Sequence, residues 1–117
     1  MEFKTFEDLE VYKAAREFRK RIYKLVRRLP NEEKYCLADQ MRRAAISLTN
    51  NIAEGYGRYH YKENIQYCRQ SRGSLCELID DLKLCIDEEY FREDSLNELK
   101  SKASHVHKLL NGAILPI

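Results

Sequence analysis

The chain has 117 residues, 44% of them hydrophobic and 34% charged, with a formal net charge of +2 and a mean hydropathy of -0.65. That length holds one domain, 1–117, with a modest core and no second one, and the hydrophobic share excludes a disordered chain. With only 4 Gly and 2 Pro and no alternating strand pattern of useful length, the composition points to an all-α fold of long helices and short links.

The opening MEFKTFEDLE is acidic and lacks the basic and apolar regions of a secretory signal. No stretch approaches the roughly 18 consecutive apolar residues of a membrane span, so the expectation is a cytoplasmic protein with no membrane partner. Cys36, Cys68, Cys76 and Cys85 show no CxxC spacing and are read as small core residues in a reducing compartment.

Thr5 followed by Asp8 has the form of a helix start. Beyond it Val11, Ala15, Phe18, Ile22, Leu25 and Leu29 repeat at alternating steps of four and three, the seam of a first helix stopped by Pro30. Lys13, Arg16, Lys20, Lys24 and Arg27 fall on the opposite side as a basic stripe. From Lys13 to Arg28 there are eight Lys or Arg against one Glu. Residues 1–60 hold 13 basic and 9 acidic side chains and residues 61–117 hold 8 and 10, so the halves carry +4 and -2.

Asn31 is placed as the cap of a second helix, with Glu32 and Glu33 at its positive end. That helix carries two stripes. Leu37, Met41, Ala44, Ala45, Leu48 and Ile52 are apolar at core spacing, and Gln40, Arg43, Ser47, Asn51 and Glu54 form a polar ladder at steps of three, four, four and three. Gly55 and Gly57 suit a left-handed helix end. The following GYGRYHYK interleaves Tyr56, Tyr59 and Tyr61 with Arg58, His60 and Lys62. Such a mixture can stack bases and hold phosphates, but loop tyrosines more commonly pack over helix ends, and that use is favoured.

Ile65, Cys68, Leu75, Ile79, Leu82 and Ile86 mark a third helix, in which Gly73 and Ser74 are small enough for a neighbouring backbone to approach closely. Its end is acidic: Glu77 to Asp94 holds eight acids against two bases. Asp94 or Ser95 caps a last helix using Leu96, Leu99, Ala103, Val106 and Leu110, closed by Gly112 and Pro116. Four amphipathic helices with short links predict an antiparallel up-and-down four-helix bundle. The basic half of the first helix and the acidic end of the third then lie toward one end.

No glutamate is followed three residues later by histidine, which excludes the di-iron bundle motif, and His105 and His107 lie on different helix faces. Neither a Walker lysine motif nor a glycine-rich nucleotide loop is present, so no cofactor or metal is expected. Glu54, Glu77 and Asp80 could serve as acid and base only if they converged, and no nucleophile accompanies them, so a non-enzymatic protein is expected. The ladder is better suited to binding: Arg43 and Glu54 are opposite in charge, and Ser47 and Asn51 both donate and accept. It serves either a subunit interface or an intrachain network.

FEDLEVYKAAREF, LADQMRRAAISLTNNIAEGYGR and RGSLCELIDDL together resemble the four-helix-bundle proteins encoded by intervening sequences of bacterial 23S ribosomal RNA genes. The resemblance runs through Leu82 and carries the family motif onto Gln40, Arg43, Ala44, Ser47, Asn51, Ile52, Ala53, Glu54, Gly55 and Arg58, then Gly73, Ser74 and Glu77. It implies a ring-shaped homo-oligomer, a pentamer, and kinship with the accessory protein of diversity-generating retroelements, which works beside a reverse transcriptase. Leu48-Thr49-Asn50 departs from the family, which often has isoleucine or valine followed by Pro-Ser or Pro-Ala.

Two functions follow. One is an RNA-associated module whose ring repeats the basic stripe, with Lys13, Arg16, Lys20, Lys24, Arg27 and Arg58 as phosphate contacts. The other is a protein-interaction scaffold that does not touch nucleic acid. The pI of 8.3 lies below the range above about 9 typical of nucleic-acid-binding domains. The stripe and the resemblance together favour the first.

Overall fold

The computed structural model describes residues 5–58 and 60–114. All four expected helices form: α1 (Glu10–Val26), α2 (Leu37–Tyr56), α3 (Tyr61–Asp87) and α4 (Asn97–Ile114), with no strand among the described residues. Phe18 and Ile22 of α1, Met41 and Leu48 of α2, Leu75, Leu78 and Leu82 of α3, and Val106 and Leu110 of α4 are fully buried in one core. Each such side chain stabilises the fold by roughly 1.5–3 kcal/mol relative to exposure.

Cross-helix contacts fix the register. Arg19 meets Thr49, Ser74 meets Ser47, Gln40 meets Asp81, Arg72 meets Asn111 and Arg21 meets Glu98. Between α2 and α3 the partners fall from Asp81 to Ser74 as the number rises from Gln40 to Ser47. Between α1 and α2 Arg19 meets Thr49 while Arg27 lies near Arg42, and between α1 and α4 Arg21 meets Glu98 while Ala14 lies near His105, so these neighbours run antiparallel. Every helix packs on its sequence neighbours, α4 returns to α1, and the bundle measures 47 × 25 × 24 Å. This is the antiparallel four-helix bundle expected from the spacing. Arg28 lies 5.3 Å over the Phe91 ring and the Tyr90 hydroxyl donates to Glu33 at 2.7 Å. The C-terminal ends of α1 and α3 therefore do share one end of the bundle.

The helix ends differ from expectation in detail. Thr5 and Asp8 do form a capping box, but around a short 3-10 turn, Phe6–Asp8, and α1 starts after Leu9. Asn31 likewise heads a 3-10 turn, Asn31–Glu33, and α2 begins four residues beyond it. Helix α2 runs through Gly55, and Gly57 takes a right-handed φ of -74°, so neither glycine provides a left-handed cap. Among the described residues the left-handed one is Glu89, at φ 61°, just after α3. Neither Asp94 nor Ser95 caps α4: both lie within a third 3-10 turn, Glu93–Leu96, and α4 follows. Gly112 lies inside α4, while Pro116 falls outside the described residues.

Two expectations about small residues are corrected. The close approach is at Gly55, where an added Cβ would lie 2.9 Å from Asn64 Oδ1 and 3.0 Å from Tyr67 Cβ. At Gly73 it would meet nothing within 4 Å, because that residue is on the exposed side of α3. Of the cysteines, Cys68 and Cys85 are core residues but Cys36 and Cys76 are exposed. Helix positions 68 and 85 share the apolar stripe; 36 precedes α2 and 76 lies off the stripe.

Candidate functional site

Burial of Ala15, Phe18, Ile22 and Leu25 turns the opposite side of α1 outward, and Lys13, Arg16, Lys20, Lys24 and Arg27 are all exposed. Lys13 is 3.8 Å from Glu10. Among the described residues Arg16, Lys20, Lys24 and Arg27 form no ion pair, so their charge faces outward uncompensated.

The stripe borders a recess that sequence reasoning did not anticipate. A hollow of about 480 Å³ between α1 and α2 is lined by Arg19, Lys20, Tyr23, Lys24, Arg27 and Ile46. A second, of about 280 Å³, continues from Arg27 past Leu29 and Pro30 to Lys34, Ala38 and Arg42. The two hollows adjoin at Arg27, and together, as the α1–α2 trough, they are lined by six cationic side chains and no carboxylate. Thr49, buried, accepts a hydrogen bond from Arg19 Nη1 at 2.7 Å and so holds that guanidinium at the wall. Ile46 is 41% exposed in the floor. Its signal in the sequence was an isoleucine standing outside the apolar stripe of α2.

Arg58 does not join the trough. Its Nη2 pairs with Glu54 and donates to the Tyr67 hydroxyl at 2.8 Å, and its guanidinium lies 5.1 Å over the Tyr67 ring. The hydrogen bond to Glu54 is the chief cause of its raised pKa. This cluster is at the far end of α2 from Arg42, on the α3 side. Tyr56 and Tyr61 are exposed beside it, and Tyr59 lies outside the described residues.

The polar ladder faces the α2–α3 seam, but it is not self-contained. Gln40 Nε2 donates to Asp81 Oδ1 at 3.2 Å; Arg43 pairs with Asp39 at 3.1 Å; Glu54 pairs with Arg58. Only Ser47 and Asn51 pair within the ladder, where Asn51 Nδ2 donates to the Ser47 carbonyl and Oγ at 2.9 and 3.0 Å. Ser74 Oγ of α3 also donates to Ser47 Oγ at 2.9 Å. The seam opens outward as a groove of about 510 Å³ lined by Cys36, Asp39, Gln40, Arg43, Ala44, Ser47, Ser74 and Glu77. Arg43 lies over it with its side chain 80% exposed.

Asp81 belongs to this seam and was missed. It is buried, its Oδ2 has no hydrogen-bond partner, and burial together with Glu77 and Asp80 pushes its carboxyl up to about 6. The Cys85 thiol, one turn on, is raised to about 11, by burial first and then by Asp81 and Glu33. An acid three residues after Leu78 and four before Cys85, on the apolar stripe, was the available signal.

Glu54, Glu77 and Asp80 do not converge. The Ser47–Ser74 register sets Glu77 near Arg43, and Glu54 is then about 15 Å further along α2 by helical rise. Among the described residues no cluster of three metal-ligating side chains exists and no helix is long and apolar enough to cross a membrane.

Residues 7–112 match the family described as 23S rRNA-intervening sequence protein. A solved structure from Bacteroides thetaiotaomicron, described as a protein with unknown function from the S23 ribosomal protein family, is similar throughout. It is 25% identical with a TM-score of 0.83, over 91% of this chain and 99% of that one. No curated protein matches.

Proposed function

The chain belongs to the family of 23S rRNA-intervening sequence proteins, and from that premise we propose that it is a non-enzymatic RNA-associated module that acts as a homo-oligomer. The observation that carries the proposal is the trough, in which six cations gather without a carboxylate and the three from the stripe, Lys20, Lys24 and Arg27, form no ion pair among the described residues. A polyanion relieves that uncompensated charge through counterion release, and a ring would repeat the site around its circumference.

The α2–α3 seam supplies the assembly surface. Its groove holds ladder groups that retain hydrogen-bonding capacity toward a partner, and the open side of Gly73 leaves room for a neighbouring chain. Assembly as a pentamer is the arrangement the family resemblance implies. A scaffold that docks an acidic protein on the same trough is the second reading, favoured by the same charge but given nothing further by the floor of the trough.

A filter-binding titration against an RNA carrying both stems and loops tests the proposal. Wild-type protein should retain the RNA at low salt, and Lys24→Glu/Arg27→Glu should weaken retention about tenfold or more. Equal retention by both proteins, or none by wild type, would refute it.

A further inference from the structure

We propose that the α1–α2 trough is a single-strand site, in which unpaired RNA lays phosphates on Lys20, Lys24 and Arg27 while a base packs on Tyr23 and Ile46. This rests on the RNA reading above and adds the form of nucleic acid recognised.

The floor makes the distinction. A duplex turns phosphates and sugars outward and keeps its bases stacked inside, so it would satisfy the cations and leave Tyr23 and Ile46 facing nothing useful. Unpaired bases offer apolar faces that stack on aromatic side chains. The two recesses repeat one design, a cationic wall over an apolar floor: Tyr23 with Ile46 in the first, Leu29 with Pro30 in the second, and Arg27 between them. From Lys20 to Arg27 the wall extends about 10 Å along α1, enough to follow a strand through successive nucleotides.

Two features make the site ready for such a ligand. Arg19 is held by Thr49 rather than by a carboxylate, so it is positioned without loss of net charge. Ile46 is exposed, so covering it with a base removes apolar surface from water. An acidic amphipathic helix fits less well, because it needs a continuous apolar groove for anchors at i, i+3 or i+4 and i+7, and Arg27 interrupts this floor.

Fluorescence anisotropy decides it, with a labelled RNA lacking self-complementarity, the same strand annealed to its complement, and an acidic amphipathic peptide. Wild type should favour the single strand by about tenfold, Tyr23→Leu should lose most of that preference without changing duplex affinity, and Tyr23→Phe should keep it. Ile46→Asn, at an exposed position, should lower single-strand affinity in the same direction, and circular dichroism melts should show each variant folded. Equal affinity for both RNA forms, unaltered by Tyr23→Leu, overturns the single-strand site while leaving phosphate binding in place. Failure of wild type to bind either form at low salt overturns both, as does a preference for the peptide.

Discussion

Arg19 Nη1 donates to Thr49 Oγ1 at 2.7 Å, so a buried hydroxyl of α2 positions a cation of the α1 wall. Thr49→Val keeps the shape and removes the acceptor. It should lower stability by about 1–2 kcal/mol, read from the urea midpoint, since hydrogen bonds to charged groups exceed the neutral average. An unchanged midpoint would show that the hydroxyl does not hold the guanidinium.

How much of this was readable beforehand follows from the kind of contact involved. The heptad seam of α1 and the apolar stripe of α2 defined the bundle, because a 3.6-residue period is a local property of the chain. The Arg19–Thr49 pair spans thirty residues and depends on the α1–α2 register, which periodicity does not specify. It also depends on a departure from the family: a proline in place of Thr49 would carry no hydroxyl to accept from Arg19. The trough was half legible. Lys20, Lys24 and Arg27 stood out as part of a stripe, whereas Arg19 and Lys34 lie off that stripe and Ile46 and Arg42 reach the trough only from the neighbouring helix. Arg58 was grouped with those cations by charge, but its position beyond α2 commits it to Glu54 and Tyr67.

Asp81 makes the fold pH-dependent. Burial pushes its carboxyl up to about 6 from the ordinary 3.8, so ionisation is costlier in the folded chain. The sign is therefore that of a raised acid: stability is greatest below pH 3.8 as far as this group is concerned, and falls as pH rises through about 6. Asp81→Asn retains an acceptor for Gln40 and should stabilise the protein by roughly 1–3 kcal/mol at pH 7, with little effect near pH 4. Thermal melts across that range check it, and equal effects at both pH values would contradict the assignment.

Of the helical glycines, Gly55 and Gly73 should respond oppositely to alanine. Gly73→Ala fills open space and gains helix propensity, about 0.5–1 kcal/mol of stability. Gly55→Ala forces its Cβ against Asn64 and Tyr67, and overpacking of about 1–3 kcal/mol outweighs the same propensity gain. Denaturant melts of the two variants should move in opposite directions; a shift of the same sign would be inconsistent with the packing described.

The surfaces proposed for assembly and for RNA binding lie on different faces, so their effects should separate. Arg43→Ala, in the α2–α3 groove, should reduce the mass seen by light scattering, whereas Lys20→Glu should leave the mass unchanged. A wild-type monomer, or an oligomer indifferent to Arg43, would count against the seam as the interface.

The most direct test of the account is the salt dependence of affinity for single-stranded RNA. If Lys20, Lys24 and Arg27 each neutralise a phosphate, the logarithm of the binding constant should fall against the logarithm of salt concentration with a slope of about -2 or steeper. Lys20→Glu/Lys24→Glu/Arg27→Glu should bring that slope close to zero together with the affinity. A triple variant that binds with the wild-type slope would contradict the trough as the nucleic-acid site.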